Sequence, residues 1–108
     1  MNIQKIDNQT FGALDTAKAN NALFRRLNSG NRYVQYEMLE RWQRSKPYNI
    51  VLEGGKNNNL TATVVDGEGA TLLKRKESLL KGMLNLSPIK FLRNICKNAE
   101  KLVTEKHV

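Results

Sequence analysis

Apolar residues recur most regularly near the end of the chain, where Ile89, Leu92, Ile95, Cys96, Ala99, Leu102 and Val103 follow three- and four-residue spacing. Such spacing puts the side chains on one face of a helix. Ser87 offers an N-cap oxygen, and Pro88 suits the first helical position, where its missing amide hydrogen costs nothing. A long amphipathic helix over residues 88–104 is predicted.

Ala19, Ala22, Leu23 and Leu27 repeat this spacing after Asp15 or Thr16, either of which can cap a helix. Asn28-Ser29-Gly30 would end it, with Gly30 in the left-handed conformation that closes helices. A second helix is predicted from about Asn31 to just before Pro47. Val34, Met38, Leu39 and Trp42 form its apolar face, so Trp42 is assigned to the core. Glu37/Arg41 and Glu40/Arg44 pair at four-residue spacing on its surface. The two helices make a hairpin, or one helix broken at Gly30.

The period changes after Pro47. Residues 50–52 and 60–65 are β-branched or apolar runs separated by Gly54, Gly55 and the polar residues 56–59, the pattern of a β-hairpin with a flexible loop. Asp66-Gly67-Glu68-Gly69 marks a second turn. Beyond it, residues 70–73 fit a short strand, but Leu72, Leu73, Leu79, Leu80 and Met83 also share a helical face, and a helix from near Thr71 is preferred. The expected fold class is therefore α+β: a helical hairpin, a short antiparallel β-hairpin or meander, and a long amphipathic C-terminal helix. Residues 1–10 show no sustained period and are expected to form a mobile tail, with residues 11–14 fitting a short edge strand. Residues 11–108 form one small domain, because dividing 108 residues would leave neither half an adequate core.

Composition adds a strong positive balance. Eighteen Lys and Arg stand against ten Asp and Glu, a formal charge of +8. Thirteen asparagines accompany them, and A-rich codons encode both Asn and Lys, so part of the excess reflects base composition. Its distribution is more informative, since +6 of the +8 lies from Thr71 onward. Lys90, Arg93, Lys97 and Lys101 project together from the last helix as a basic ridge flanked by Asn94 and Asn98, while Glu105 is spaced to pair with Lys101. Lys74, Arg75 and Lys76 form a second cluster, which Lys81 extends if it lies near the last helix. Cations of this kind bind phosphates, and the flanking amides can bond phosphates, sugars or base edges. The plain alternative is a solvated helix face.

Arg32, Tyr33, Tyr36 and Arg44 lie mostly off the apolar face of the second helix and suit a protein partner or stacking on bases. Arg25 and Arg26 extend this surface or point into solvent. The inventory for catalysis is thin. Gly54-Gly55-Lys56 lacks the length of a phosphate-binding loop, and Asp66-Gly67-Glu68 lacks the oxygen ligands of a calcium loop. Cys96 sits on the apolar stripe, where burial keeps a thiol inert, and His107 is too close to the end to be held for proton transfer. No metal site, no cofactor and no catalytic residue is expected, so an enzyme is disfavoured. No apolar run is long enough to cross a bilayer and the first ten residues are polar, which makes a cytoplasmic location the default. The leading expectation is a small accessory or regulatory protein binding nucleic-acid phosphates without strong sequence specificity. The alternative is a non-enzymatic interaction or assembly module, binding a partner or a second copy. A membrane surface is the weakest candidate, since Phe91 is the sole aromatic near the apolar face of the basic helix.

Overall fold

The computed structural model describes residues 14–28 and 30–106, with the backbone alone at Asn20, Glu105 and Lys106. The order is β1 (Leu14–Lys18), α1 (Asn20–Arg26), α2 (Gly30–Gln43), β2 (Tyr48–Gly54), a 3-10 turn (Lys56–Asn58), β3 (Leu60–Asp66), β4 (Thr71–Lys76), α3 (Leu79–Met83) and α4 (Ile89–Lys106). Among the described residues, four helices thus accompany a four-stranded sheet, and the architecture is α+β. The expected tail over residues 1–10 and edge-strand residues 11–13 lie outside the described residues.

The sheet runs β1-β2-β3-β4. Strands β2, β3 and β4 form an antiparallel meander, whereas β1 pairs with β2 in parallel, Leu14 opposite Ile50 and Asp15 opposite Val51. Parallel neighbours need a crossover, which α1 and α2 provide. Alternation fixes which face is covered: Tyr48, Ile50, Leu52, Leu60, Ala62 and Val64 are buried, while Val51, Thr61, Thr63 and Val65 on the opposite face stay half-exposed. Leu23 of α1 and Ile89, Leu92, Ile95 and Ala99 of α4 join the same core. Each fully buried aliphatic side chain contributes about 2 kcal/mol. Helix α4 matches the expected element closely, and Ile89 N donates to Ser87 Oγ at 3.3 Å as its cap.

Both turns follow from their residues. Asp66 Oδ1 accepts bonds from Glu68 N and Ala70 N, each at 2.9 Å, and Gly69 takes φ +87° to bring the chain back. Asn57 and Asn58 adopt φ 57° and 62° in the 3-10 turn, a region that asparagine tolerates better than most residues. The third asparagine, Asn59, is buried and takes a different role described below.

Four expectations are corrected. Residues 71–76 are strand, not helix, because Leu73 opposite Val64 and Lys74 opposite Thr63 complete the ladder along β3; helix begins only at Leu79. Asp15 and Thr16 lie in β1 and cap no helix; backbone pairing with β2 outweighs the local capping signal, and α1 starts at Asn20. Gly30 opens α2 rather than closing α1. Finally, α2 is rotated from its expected orientation. Tyr36 and Gln43 are buried, while Val34, Met38 and Trp42 are 54%, 61% and 40% exposed. On the inward side Gln43 Nε2 donates to the Tyr48 carbonyl at 2.7 Å while its Oε1 is buried without a hydrogen-bond partner, and Tyr36 packs between Tyr33 and Phe24, with ring centroids 6.4 and 6.3 Å away.

Candidate nucleic-acid interface

The basic surface begins with the orientation of α4. Ile89, Leu92, Ile95, Cys96 and Ala99 turn inward, so Lys90, Arg93, Asn94, Lys97, Asn98 and Lys101 are all exposed. No ion pair neutralises Lys90, Arg93 or Lys97 among the described residues. The acid on this helix is engaged elsewhere: Glu100 accepts from Tyr48 Oη at 3.2 Å and pairs with Lys46 at 3.3 Å. The side chain of Glu105 lies outside those described.

Edge strand β4 supplies the second set. Lys74, Arg75 and Lys76 stand opposite Thr63, Ala62 and Thr61 and are exposed, with Lys74 and Lys76 on the open face of the sheet. Charged residues on an edge strand also discourage pairing with another chain. Where β4, α3 and α4 meet, Lys76, Lys81 and Lys90 line one groove of about 290 Å³, joined by Glu77, Phe91, Asn94 and the hydroxyls of Ser78 and Ser87. Lys76 also lines a neighbouring cavity of about 840 Å³ with Lys74, Lys56, Thr61, the Gly54-Gly55 backbone and one acid, Glu53. Two basic clusters separated along the chain therefore meet through Lys76 and Lys81. Arg93 and Lys97 lie on the other flank of α4, in a cavity shared with α2. Lys101 and Arg75 are exposed on their own elements.

A buried clamp holds the groove's walls. Arg26, expected at the surface, is fully buried, because the end of α1 faces the β4–α3 junction and Glu77 turns inward beside the outward Lys76. The guanidinium makes a two-pronged bond to both Glu77 carboxylate oxygens. Its Nε and Nη2 also donate to the Leu86 carbonyl at 3.1 and 3.0 Å, and Nη1 donates to the Asn58 carbonyl at 3.2 Å. Glu77 accepts a further bond from Leu60 N at 3.0 Å. Asn59 Nδ2 donates to the Glu77 and Ser78 carbonyls at 3.2 and 2.9 Å, and its Oδ1 accepts from Gly82 N at 2.9 Å. A burial this deep requires such partners, since an unpaired buried ion costs several kcal/mol, about 3–5. Gly82 is also sterically required: a Cβ there would fall on the Asn57 carbonyl oxygen and the Asn59 side-chain oxygen.

The expected partner-binding set on α2 does not form one exposed face. Tyr36 is a correction: it is core, and burial pushes its phenol up to about 12. Arg32 is half-buried and donates to the Arg26 and Asn85 carbonyls at 3.1 and 2.9 Å, tying α2 to the loop after α3. Tyr33 is exposed and stacks on Tyr36, and Arg44 is exposed with Glu40 3.8 Å away. Trp42 is a second exposed aromatic of this helix, and its ring carries the Lys46 ammonium 4.1 Å from its centroid. Nothing in the local spacing of Trp42 distinguishes it from a core residue.

Other chemistry is limited. Cys96 is buried, and desolvation, reinforced by Glu100, pushes its thiol up to about 11, so it is a poor nucleophile. Burial and the Glu100 carboxylate likewise raise the Tyr48 phenol well above its ordinary value. Among the described residues, no group of three or more His, Cys, Asp or Glu side chains is placed to hold a metal ion, and no helix is long and apolar enough to cross a membrane. No protein-family model, curated protein or solved structure matches the chain.

Proposed function

We propose that this protein is a small cytoplasmic accessory or regulatory protein that binds nucleic-acid phosphates without strong sequence specificity and without catalysing a reaction. The carrying observation is the groove at the β4–α3–α4 junction, where Lys76, Lys81 and Lys90 converge beside the Ser78 and Ser87 hydroxyls and the Asn94 amide. Glu77 also lines this concavity but its carboxylate is matched by Arg26, so the three lysines leave a positive field there that favours a phosphate and supplies charge-assisted bonds to it. The exposed ridge of α4 lengthens the cationic surface to more than one phosphate. A lone, buried thiol suits a reducing compartment.

Binding to a mixed oligonucleotide pool across a salt series tests the reading. Affinity should fall steeply as salt rises, and Lys76→Ala with Lys90→Ala should reduce the log–log slope by about 0.7–0.9 for each phosphate no longer neutralised. No binding at low salt would end the proposal.

One observation favours a second reading, self-association. Leu79, Leu80, Met83, Leu84 and Leu86 are all exposed around α3, an apolar patch of the kind that marks protein contacts. Sedimentation over a concentration series distinguishes it: a dimer dissolved by Leu80→Glu and Met83→Glu supports it, and a monomer at all concentrations excludes it.

A further inference from the structure

Between α2 and α4 lies a cavity of about 400 Å³, lined by Gln35, Met38, Leu39, Trp42, Arg93, Cys96 and Lys97. We infer that this cavity receives an unpaired base of a single-stranded nucleic acid, stacked against Trp42, with the adjoining phosphates held by Arg93 and Lys97. The inference rests on the phosphate-binding reading and deepens it by naming the strand form that is bound.

The lining combines three chemistries that a nucleotide needs together. Trp42 and Met38 provide a flat, polarisable apolar wall, and both are substantially exposed, on a helix that buries only Tyr36 and Gln43. Gln35 brings an amide, able both to donate and to accept at a base edge. Arg93 and Lys97 stand one turn apart on α4 without ion-pair partners among the described residues, and Lys90 and Lys101 continue the same ridge in both directions. Lys46, whose ammonium lies over one face of the Trp42 ring, is not among the lining residues, so a base would stack on the other face. An aromatic platform beside a cationic track is the arrangement by which proteins hold single strands with little sequence preference, because every base has a π-face. A duplex keeps its bases stacked inside and offers only phosphates to the same surface.

Trp42 is the single tryptophan of the chain and so reports directly on the site. The full chain is titrated at low salt with a single-stranded oligonucleotide, its duplex and an abasic strand of equal length, each end-labelled with a fluorophore whose anisotropy reports binding for every variant, while tryptophan emission is followed in the wild type. The single strand should quench Trp42 and bind about tenfold more tightly than the abasic strand, the effect of about one stacked base. Trp42→Ala should abolish that difference and Trp42→Phe should keep most of it, with circular dichroism confirming that both variants fold. Equal affinity for single and abasic strands with unchanged emission overturns the inference and leaves phosphate binding standing. Failure of all three probes to bind overturns both. Concentration-dependent association that Trp42→Ala abolishes, with oligonucleotide affinity untouched, assigns the cavity to a second copy and also overturns it.

Discussion

Arg26 and Arg93 carry the same side chain at opposite extremes of environment. Arg26 is sealed beneath the β4–α3 junction, its charge matched by Glu77 and its remaining donors taken by the Leu86 and Asn58 carbonyls. Arg93 stands on α4 in solvent, beside other cations and without an ion-pair partner among the described residues. A guanidinium with every donor satisfied confines its electrostatics to the fold, whereas an unpartnered one projects its field outward. Stability and binding should therefore separate along this chain, with the clamp controlling the first and the ridge the second.

The sharpest test of that separation is Arg26→Ala. It leaves Glu77 buried without its countercharge and should cost about 3–5 kcal/mol, read as a large drop in the urea midpoint. A wild-type midpoint would remove the clamp from any structural role. Gly82→Ala attacks the same region by collision with the Asn57–Asn59 turn and should destabilise by about 1–3 kcal/mol. Retained stability there would mean that the turn yields freely.

A third prediction concerns alkaline pH. Tyr36 is pushed up to about 12 and Cys96 to about 11, chiefly by burial, and Tyr48 is raised further. The folded state holds these protons more tightly than the unfolded chain does. Their stabilisation is thus complete below the unfolded values and is lost as pH rises through the folded ones. Urea midpoints should fall between about pH 9 and about pH 12, and Tyr36→Phe should make that fall shallower. A flat profile over this range would show that these groups are not shielded from water. The smallest effect on stability is expected at the ridge: Lys90→Ala and Lys97→Ala should each move it by less than about 0.5 kcal/mol while weakening phosphate binding. A ridge variant that unfolds the protein would break the comparison from the other side.

Legibility in the sequence follows the range of the responsible interaction. The α4 stripe and its Ser87 cap depend on neighbours within a few positions, and both are readable, as is the Asp66–Gly69 turn. Lys90, Arg93, Lys97 and Lys101 are exposed because they lie opposite that stripe. Helix α2 defeats such a reading because its apolar residues are spread around its circumference, so no period identifies the inward side. Tyr36 and Gln43 turn inside through contacts with Phe24, Tyr33 and the Tyr48 carbonyl, none of which local spacing reveals. The run of asparagines resembles mere composition, yet Asn57 and Asn58 provide left-handed backbone and Asn59 bridges the clamp to α3.

What the sequence determined by itself was the α+β class, the long basic helix and the concentration of positive charge after Thr71. Those properties rest on periodicity, turn chemistry and a count of charges. The tertiary structure alone decided that β1 pairs in parallel, that residues 71–76 complete the sheet, that Arg26 is buried and Trp42 is not, and that Lys76, Lys81 and Lys90 share one groove. Each of these depends on which distant segment lies alongside, because an available backbone edge or a facing carboxylate outweighs the weaker preferences within a short stretch of chain.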